Sequence, residues 1–196
     1  MNNHKYFLLH KPYKVVSVFK SAHRKKVTLD QIGFSFPENT HAVGRLDENS
    51  EGLLVLTNDR SIDQIILHPE KKIEKTYWVQ VHGEVDSEKM DLLRNGIVIR
   101  INSEDYKTLP CKVNRLTIPD YIKPRCKHPV SNEKKTTWLE ITLTEGKFHQ
   151  IRKMTAGIGH QTMRLIRARI GRIELNNSLP GAVWEITKEE LSKQIL

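Results

Sequence analysis

Three carboxylates, Asp47, Glu48 and Glu51, share a polar loop bracketed by Gly44 and Gly52, with Arg45, Asn49 and Ser50 between them. The run Leu53 to Leu56 follows directly and reads as a buried strand, so the loop is anchored to the core. A carboxylate held in this way can attack an electrophilic carbon or take up a proton. Two of them, Asp47 and Glu51, could instead form a hydrolytic acid pair. Asp47 could equally be a turn residue or a helix cap, because its side chain bonds nearby backbone N–H groups. Further along, Tyr77 offers a ring with a polar edge and Arg152 a permanent positive charge. Read locally, Tyr77 is a core aromatic of a strand and Arg152 a surface charge on an amphipathic helix.

The elements that must carry these side chains are legible from periodicity. Tyr6 to His10 and Val15 to Phe19 read as a hairpin or bent strand pair at a sheet edge, split by Lys11, Pro12 and Tyr13. The basic segment Ser21 to Lys26 reads as a loop between lobes or an RNA-facing turn. Thr28 caps a short helix to Ile32, and Thr40 to Val43 is a strand leading into the loop. Ile62, Ile65 and Ile66 give Ser61 to Leu67 a helical spacing ended by His68 and Pro69. In Lys75 to Val81, Tyr77, Val79 and Val81 share one strand face. Ser87 to Arg94 is a helix closed by Asn95-Gly96, and Ile97 to Ile101 a strand. Short strands around Cys111 to Leu116 interrupt a weakly patterned stretch, and Trp138 to Leu143 is a further strand. Ile151, Met154 and Ile158 then mark a helix that turns Arg152 and His149 toward another face. Met163 to Ile173 reads as one strand with Arg167 and Arg169 on a common face, a candidate for backbone contact with RNA. Val183 to Ile186 and a peripheral helix from Lys188 to Ile195 end the chain. This is an α+β pattern with a central mixed, mostly antiparallel sheet and flanking helices.

With 32 Lys and Arg against 23 Asp and Glu, the net charge of +9 favours a polyanionic partner. The excess is asymmetric. Residues 1–98 hold 14 basic and 13 acidic side chains, a balance of +1, whereas residues 99–196 hold 18 and 10, a balance of +8. Between Lys147 and Arg172 lie Lys147, Arg152, Lys153, Arg164, Arg167, Arg169 and Arg172 without one acidic residue, the footprint expected for a phosphate backbone. Two cysteines exclude a disulfide framework, and Cys126 with His128 lacks the second ligand pair of a zinc site. No apolar run reaches the length of a membrane span and no secretory h-region stands at the N-terminus, so the cytoplasm is the expected location. No phosphate-cradling glycine loop is present, so neither metal nor cofactor is expected.

Taken in order, GRLDENSEGLLVLTND at Gly44 to Asp59, KTYWVQVHG at Lys75 to Gly83 and EGKFHQIRKM at Glu145 to Met154 resemble the three motifs of RsuA-type pseudouridine synthases. The resemblance runs from Tyr6 to about Ile186 and implies a two-lobed fold with an active-site cleft. It implies isomerisation of a uridine in RNA, with Asp47 as the catalytic carboxylate, Tyr77 against the target base and Arg152 paired with Asp47. Arg45, Lys147, His149, Gln150, Lys153, Arg164, Arg167 and Arg169 become candidate RNA-binding residues. With the central motif only some forty residues into the chain, residues 1–196 are expected to form one catalytic domain without an S4-like domain. That is most similar to single-domain members that act on large-subunit (23S) ribosomal RNA, and a monomer is expected. The alternative is a non-catalytic RNA-binding or ribosome-assembly protein of the same fold. Arg60, where the family often has glycine, and Gln161, where proline is common, depart from the pattern outside the three catalytic positions.

Overall fold

The computed structural model describes residues 4–123 and 135–195. Cys126 and His128, and the basic residues Arg125, Lys127 and Lys134, lie outside them. The chain forms two compact units, one of residues 1–75 with 166–196 and one of residues 76–165.

The first unit is a sheet with helices at its margins. Its strands are β1 (Tyr6–Lys11), β2 (His41–Val43) and β3 (Glu51–Thr57), with the second half of β9 (Thr162–Ile170), then β10 (Ile173–Glu174) and β11 (Val183–Ile186). The order β11-β1-β3-β9 runs across it, β2 pairing with β3 and β10 with β9. All pairs are antiparallel except β3 with β9, so the sheet is mixed. Both β1 and β3 are buried along their whole length, as expected for strands covered on both faces. Phe7, Leu9, Val15, Leu29, Leu54 and Leu56 form one core cluster, against which Phe19, Ile32, Phe36, Ala42 and Val183 pack. Each fully buried aliphatic or aromatic side chain here contributes about 1.5–3 kcal/mol. Helix α1 (Ser61–Leu67) buries Ile62 and Ile66.

The second unit contains β4 (Lys75–His82, from Thr76 on), helix α2 (Ser87–Arg94), β5 (Val98–Ile101), β6 (Glu104–Lys107), β7 (Lys112–Arg115), β8 (Thr136–Leu143) and helix α3 (Gln150–Gly157). Strand order is β4-β8-β7, with β5 and β6 forming a separate hairpin. Asp86 caps α2 by accepting from the Lys89 N–H at 2.8 Å. Ile151, Met154 and Ile158 are buried, the stripe their spacing predicts.

Several expectations are corrected. Val15 to Phe19 is no strand. Only Val15 forms an isolated bridge, to Val27, and β1 lies between β3 and β11 rather than at an edge. The helix after Thr28 is a single 3-10 turn, Leu29–Gln31, and Ser21 to Lys26 lies inside the first unit rather than between units. Met163 to Ile173 is not one strand, because the chain turns at Gly171 and folds back so that Ile173 faces Ile170. Helix α4 (Lys188–Ile195) is not peripheral: it buries Leu191 and Ile195, and Lys188 donates to Asp59 at 2.9 Å. Asp59 also accepts from Tyr6 Oη at 2.7 Å and from Ser61 Oγ at 2.6 Å. Burial alone would raise its carboxyl, but hydrogen bonds from Ser61, Lys188 and Tyr6 outweigh burial and hold it below the usual carboxylate range.

Gly52 has φ of +106°, and a Cβ there would stand 2.3 Å from the Arg167 carbonyl oxygen. Gly52→Ala therefore strains a backbone that L-residues avoid and pushes β9 off β3. It is expected to cost roughly 2–4 kcal/mol, read as a fall in the denaturant midpoint.

Candidate active site

Asp47 is half-buried in the first unit, on a loop tied down at several points. Ser50 donates its N–H to the Asp47 carbonyl at 3.0 Å, closing a turn. Ser17 Oγ donates to the Leu46 carbonyl at 2.7 Å and accepts the Leu46 N–H at 3.0 Å, so one hydroxyl clamps both sides of the residue before Asp47. Lys14 N–H donates to the Glu48 carbonyl at 2.8 Å, and the Lys26 ammonium pairs with the Glu48 carboxylate. That hydrogen bond from Lys26 holds Glu48 below its ordinary range. Arg45, in the same loop, is exposed. Glu51 is not a loop residue. It opens β3 and is buried, which removes it as the second member of an open acid pair with Asp47.

Two buried cations support this loop. Lys11 is fully buried at the end of β1 and donates its ammonium to the carbonyls of Val15 at 2.6 Å and Pro12 at 3.0 Å. Burial pulls its pKa down to about 8, against the opposing fields of Glu51 and Asp47, with Arg167 lowering it further. Arg167 is 4% exposed, and its Nε donates to the Leu53 carbonyl at 2.7 Å. Its buried Nη2 has no hydrogen-bond partner among the described residues. Lys75, half-buried in the same unit, is lowered to about 8 by burial first and by Arg167 second. Arg167 is thus an internal charge of the first unit and not the RNA-facing residue that strand alternation suggests. Arg169, next on that strand, stays partly open and lies 3.9 Å from Glu174.

In the second unit Tyr77 sits on the buried face of β4 with Val79 and Val81, as expected, and is 9% exposed. Thr76 Oγ1 and Thr142 Oγ1, 2.8 Å apart, tie β4 to β8. Arg152 is half-buried in the first turns of α3. Before this helix, Glu145 gathers three donors: Tyr106 Oη at 2.5 Å, Leu109 N–H at 2.9 Å and Gln150 Nε2 at 2.5 Å. The hydrogen bond to Glu145 pushes Tyr106 up to about 12, with burial second. Gln150 Oε1 accepts the Lys147 N–H at 2.9 Å, and the residue is 4% exposed. Gln150 therefore fixes the loop before α3 and does not present its amide to RNA. Arg164 is corrected likewise: it is 7% exposed and donates Nη1 to the Lys123 carbonyl at 2.8 Å. Lys147 and His149 remain exposed, and Lys153 half-buried. Lys11, Ser17 and Glu145 were not found from sequence, since each acts through partners that no local pattern encodes.

Among the described residues no cluster of three or more His, Cys, Asp or Glu could hold a metal ion, and no helix is long and apolar enough to cross a membrane. A family profile described as RNA pseudouridylate synthase matches residues 5–157. The chain belongs to that family, and its fold and reaction class are those of a pseudouridine synthase, an isomerase. It is 39% identical over 183 residues to a protein of Xanthomonas campestris pv. campestris named ribosomal large subunit pseudouridine synthase E, covering 91% of this chain and 93% of that one. A protein of the same name from Vibrio parahaemolyticus is 38% identical over 186 residues, covering 95% of this chain and 75% of that one. A crystal structure described as pseudouridylate synthase superimposes with a TM-score of 0.79 at 27% identity, covering this whole chain and 75% of the other.

The buried ammonium gives a pH test. Between pH 8 and 10.5 the unfolded chain holds a proton at Lys11 that the folded protein has released, so stability gains from this group as pH rises through that window. Lys11→Met removes the gain. Unfolding free energies from denaturant titrations between pH 7 and 10.5 are expected to shift toward the natural protein, relative to the variant, by roughly 1–3 kcal/mol.

Proposed function

We propose that this protein converts a specific uridine of large-subunit (23S) ribosomal RNA to pseudouridine, with Asp47, Tyr77 and Arg152 carrying the chemistry. The observation that weighs most is the Asp47 loop: a half-buried carboxylate mounted directly on a buried strand, within the residues that the family profile matches. The names of the Xanthomonas and Vibrio relatives support the choice of ribosomal RNA. A ribosomal RNA substrate puts the work in the cytoplasm, and we read the protein as a single catalytic domain acting as a monomer, with no membrane partner.

In this reading the N1–C1′ bond of the uridine breaks, the uracil turns while bound, and C5 joins C1′. The C5 proton leaves and N1 takes one up, so the sequence is redox-neutral and needs no cofactor. Asp47 attacks C1′ or accepts the 2′ proton; either role needs the ionised carboxylate. Arg152 supplies a charge that cannot be lost and a fixed planar geometry to orient it. The target nucleotide must leave its stack, at a cost of roughly a few kcal/mol. Tyr77 offsets part of this by contact with the uracil, and Arg45 by meeting the backbone beside the vacated stack. Lys147, His149, Lys153 and Arg169 contribute screening-sensitive affinity.

Ribosomal RNA labelled with tritium at uridine C5 separates this reading from a binding-only protein. The natural protein is expected to release label without cutting the RNA. Asp47→Ala and Arg152→Ala are expected to lower the release rate by at least about 10²–10⁴-fold with unchanged melting. Label release by either variant at the natural rate would remove that residue from the chemistry.

A further inference from the structure

Phe148 belongs to no catalytic assignment, yet it is 64% exposed within a basic loop of the second unit. Its ring lies 3.9 Å from that of His149 and 18° from parallel, so the two make a short exposed stack. The Lys153 ammonium stands 5.3 Å from the Phe148 centroid and is steered there by its hydrogen bond to the Arg100 carbonyl at 2.7 Å. The Lys147 ammonium lies 4.8 Å from the Tyr106 centroid. Glu145 and Gln150 hold the loop beneath, through the 2.5 Å bond between them and the 2.9 Å bond from the Lys147 N–H. His149 takes a left-handed conformation at the start of α3, and the buried Gln150 that follows it anchors the loop through these bonds.

We propose that the Phe148–His149 stack is a nucleobase platform, on which an unpaired base of the RNA lies while Lys153 and Lys147 meet its neighbouring phosphates. The proposal deepens the RNA-modifying function above and rests on it for the identity of the ligand. Two flat rings flanked by cations suit a nucleotide better than a protein side chain, because every base offers a π-face and every linkage a negative charge. Stacking of this kind is tolerant of base identity, so the platform grips the strand near the target uridine rather than selecting its sequence.

The two contributions separate by salt and by base removal. Binding of the full chain to a fluorescein-labelled oligouridine 12-mer, and to a ribose-phosphate chain of the same length without bases, is measured over a range of salt. Phe148→Ala is expected to bind oligouridine about tenfold more weakly, to bind the abasic chain as the natural protein does, and to keep the same slope of log affinity against log salt. Phe148→Trp is expected to restore binding to within about twofold, as a ring of larger face would. Lys153→Ala is expected to flatten the salt slope by about 0.7. Equal loss on both chains, no loss on either, an altered slope for Phe148→Ala, or no rescue by tryptophan would each overturn the platform. Because oligouridine binding requires no turnover, this outcome is independent of label release by the Asp47 variant.

Discussion

Two residues of parallel pairing, Glu51 with Ile166 and Gly52 with Arg167, tie β9 to the strand that follows the Asp47 loop. The approach is closer than any side chain at position 52 allows, and glycine is required both for that contact and for its positive φ. The pairing joins a strand from the first third of the chain to one from the last, and it seats the Arg167 side chain against the Leu53 carbonyl.

Burying charge beside the Asp47 loop has a cost that must be met by specific contacts. Lys11 is satisfied by two carbonyls and by the fields of Glu51 and Asp47, whereas Arg167 donates Nε to one carbonyl and leaves its buried Nη2 without a partner among the described residues. These cations make the surroundings of the loop positive before any RNA arrives. Ser17 adds a second kind of control, fixing the backbone at Leu46 from both sides. Position and charge of the Asp47 loop are thus set by residues distant in sequence. Under the proposed function this matches what a carboxylate acting on a sugar carbon needs: fixed geometry and an environment that tolerates its charge.

The sequence made the Asp47 loop and its strand more legible than the side chains that support them. The order of glycines, carboxylates and apolar residues from Gly44 to Asp59 identified the loop and its strand, and period-two alternation placed Tyr77 with Val79 and Val81 on a buried face. Alternation failed at Arg167 because β9 is buried on both faces from Arg164 to Ala168, so a shared face no longer means a solvent face. Gln150 was misread because a motif gives residue type without partners, and its amide is committed to Glu145 and Lys147. The β5–β6 hairpin escaped notice because its turn uses Asn102 and Ser103 in positive φ, where an Asn-Gly signal would be expected. Lys11 sits next to a proline in a stretch that read as a loop, and only the fold reveals it as the most deeply buried charge of the first unit.

The most direct measurement is a crystal structure of the protein with an RNA hairpin in which the target uridine is replaced by 5-fluorouridine. The account predicts that nucleotide everted from its stack, its ribose C1′ within reach of the Asp47 carboxylate and the loop from Gly44 to Gly52 unmoved. A nucleotide still stacked in its helix, or an everted one whose sugar lies against other side chains, would contradict it.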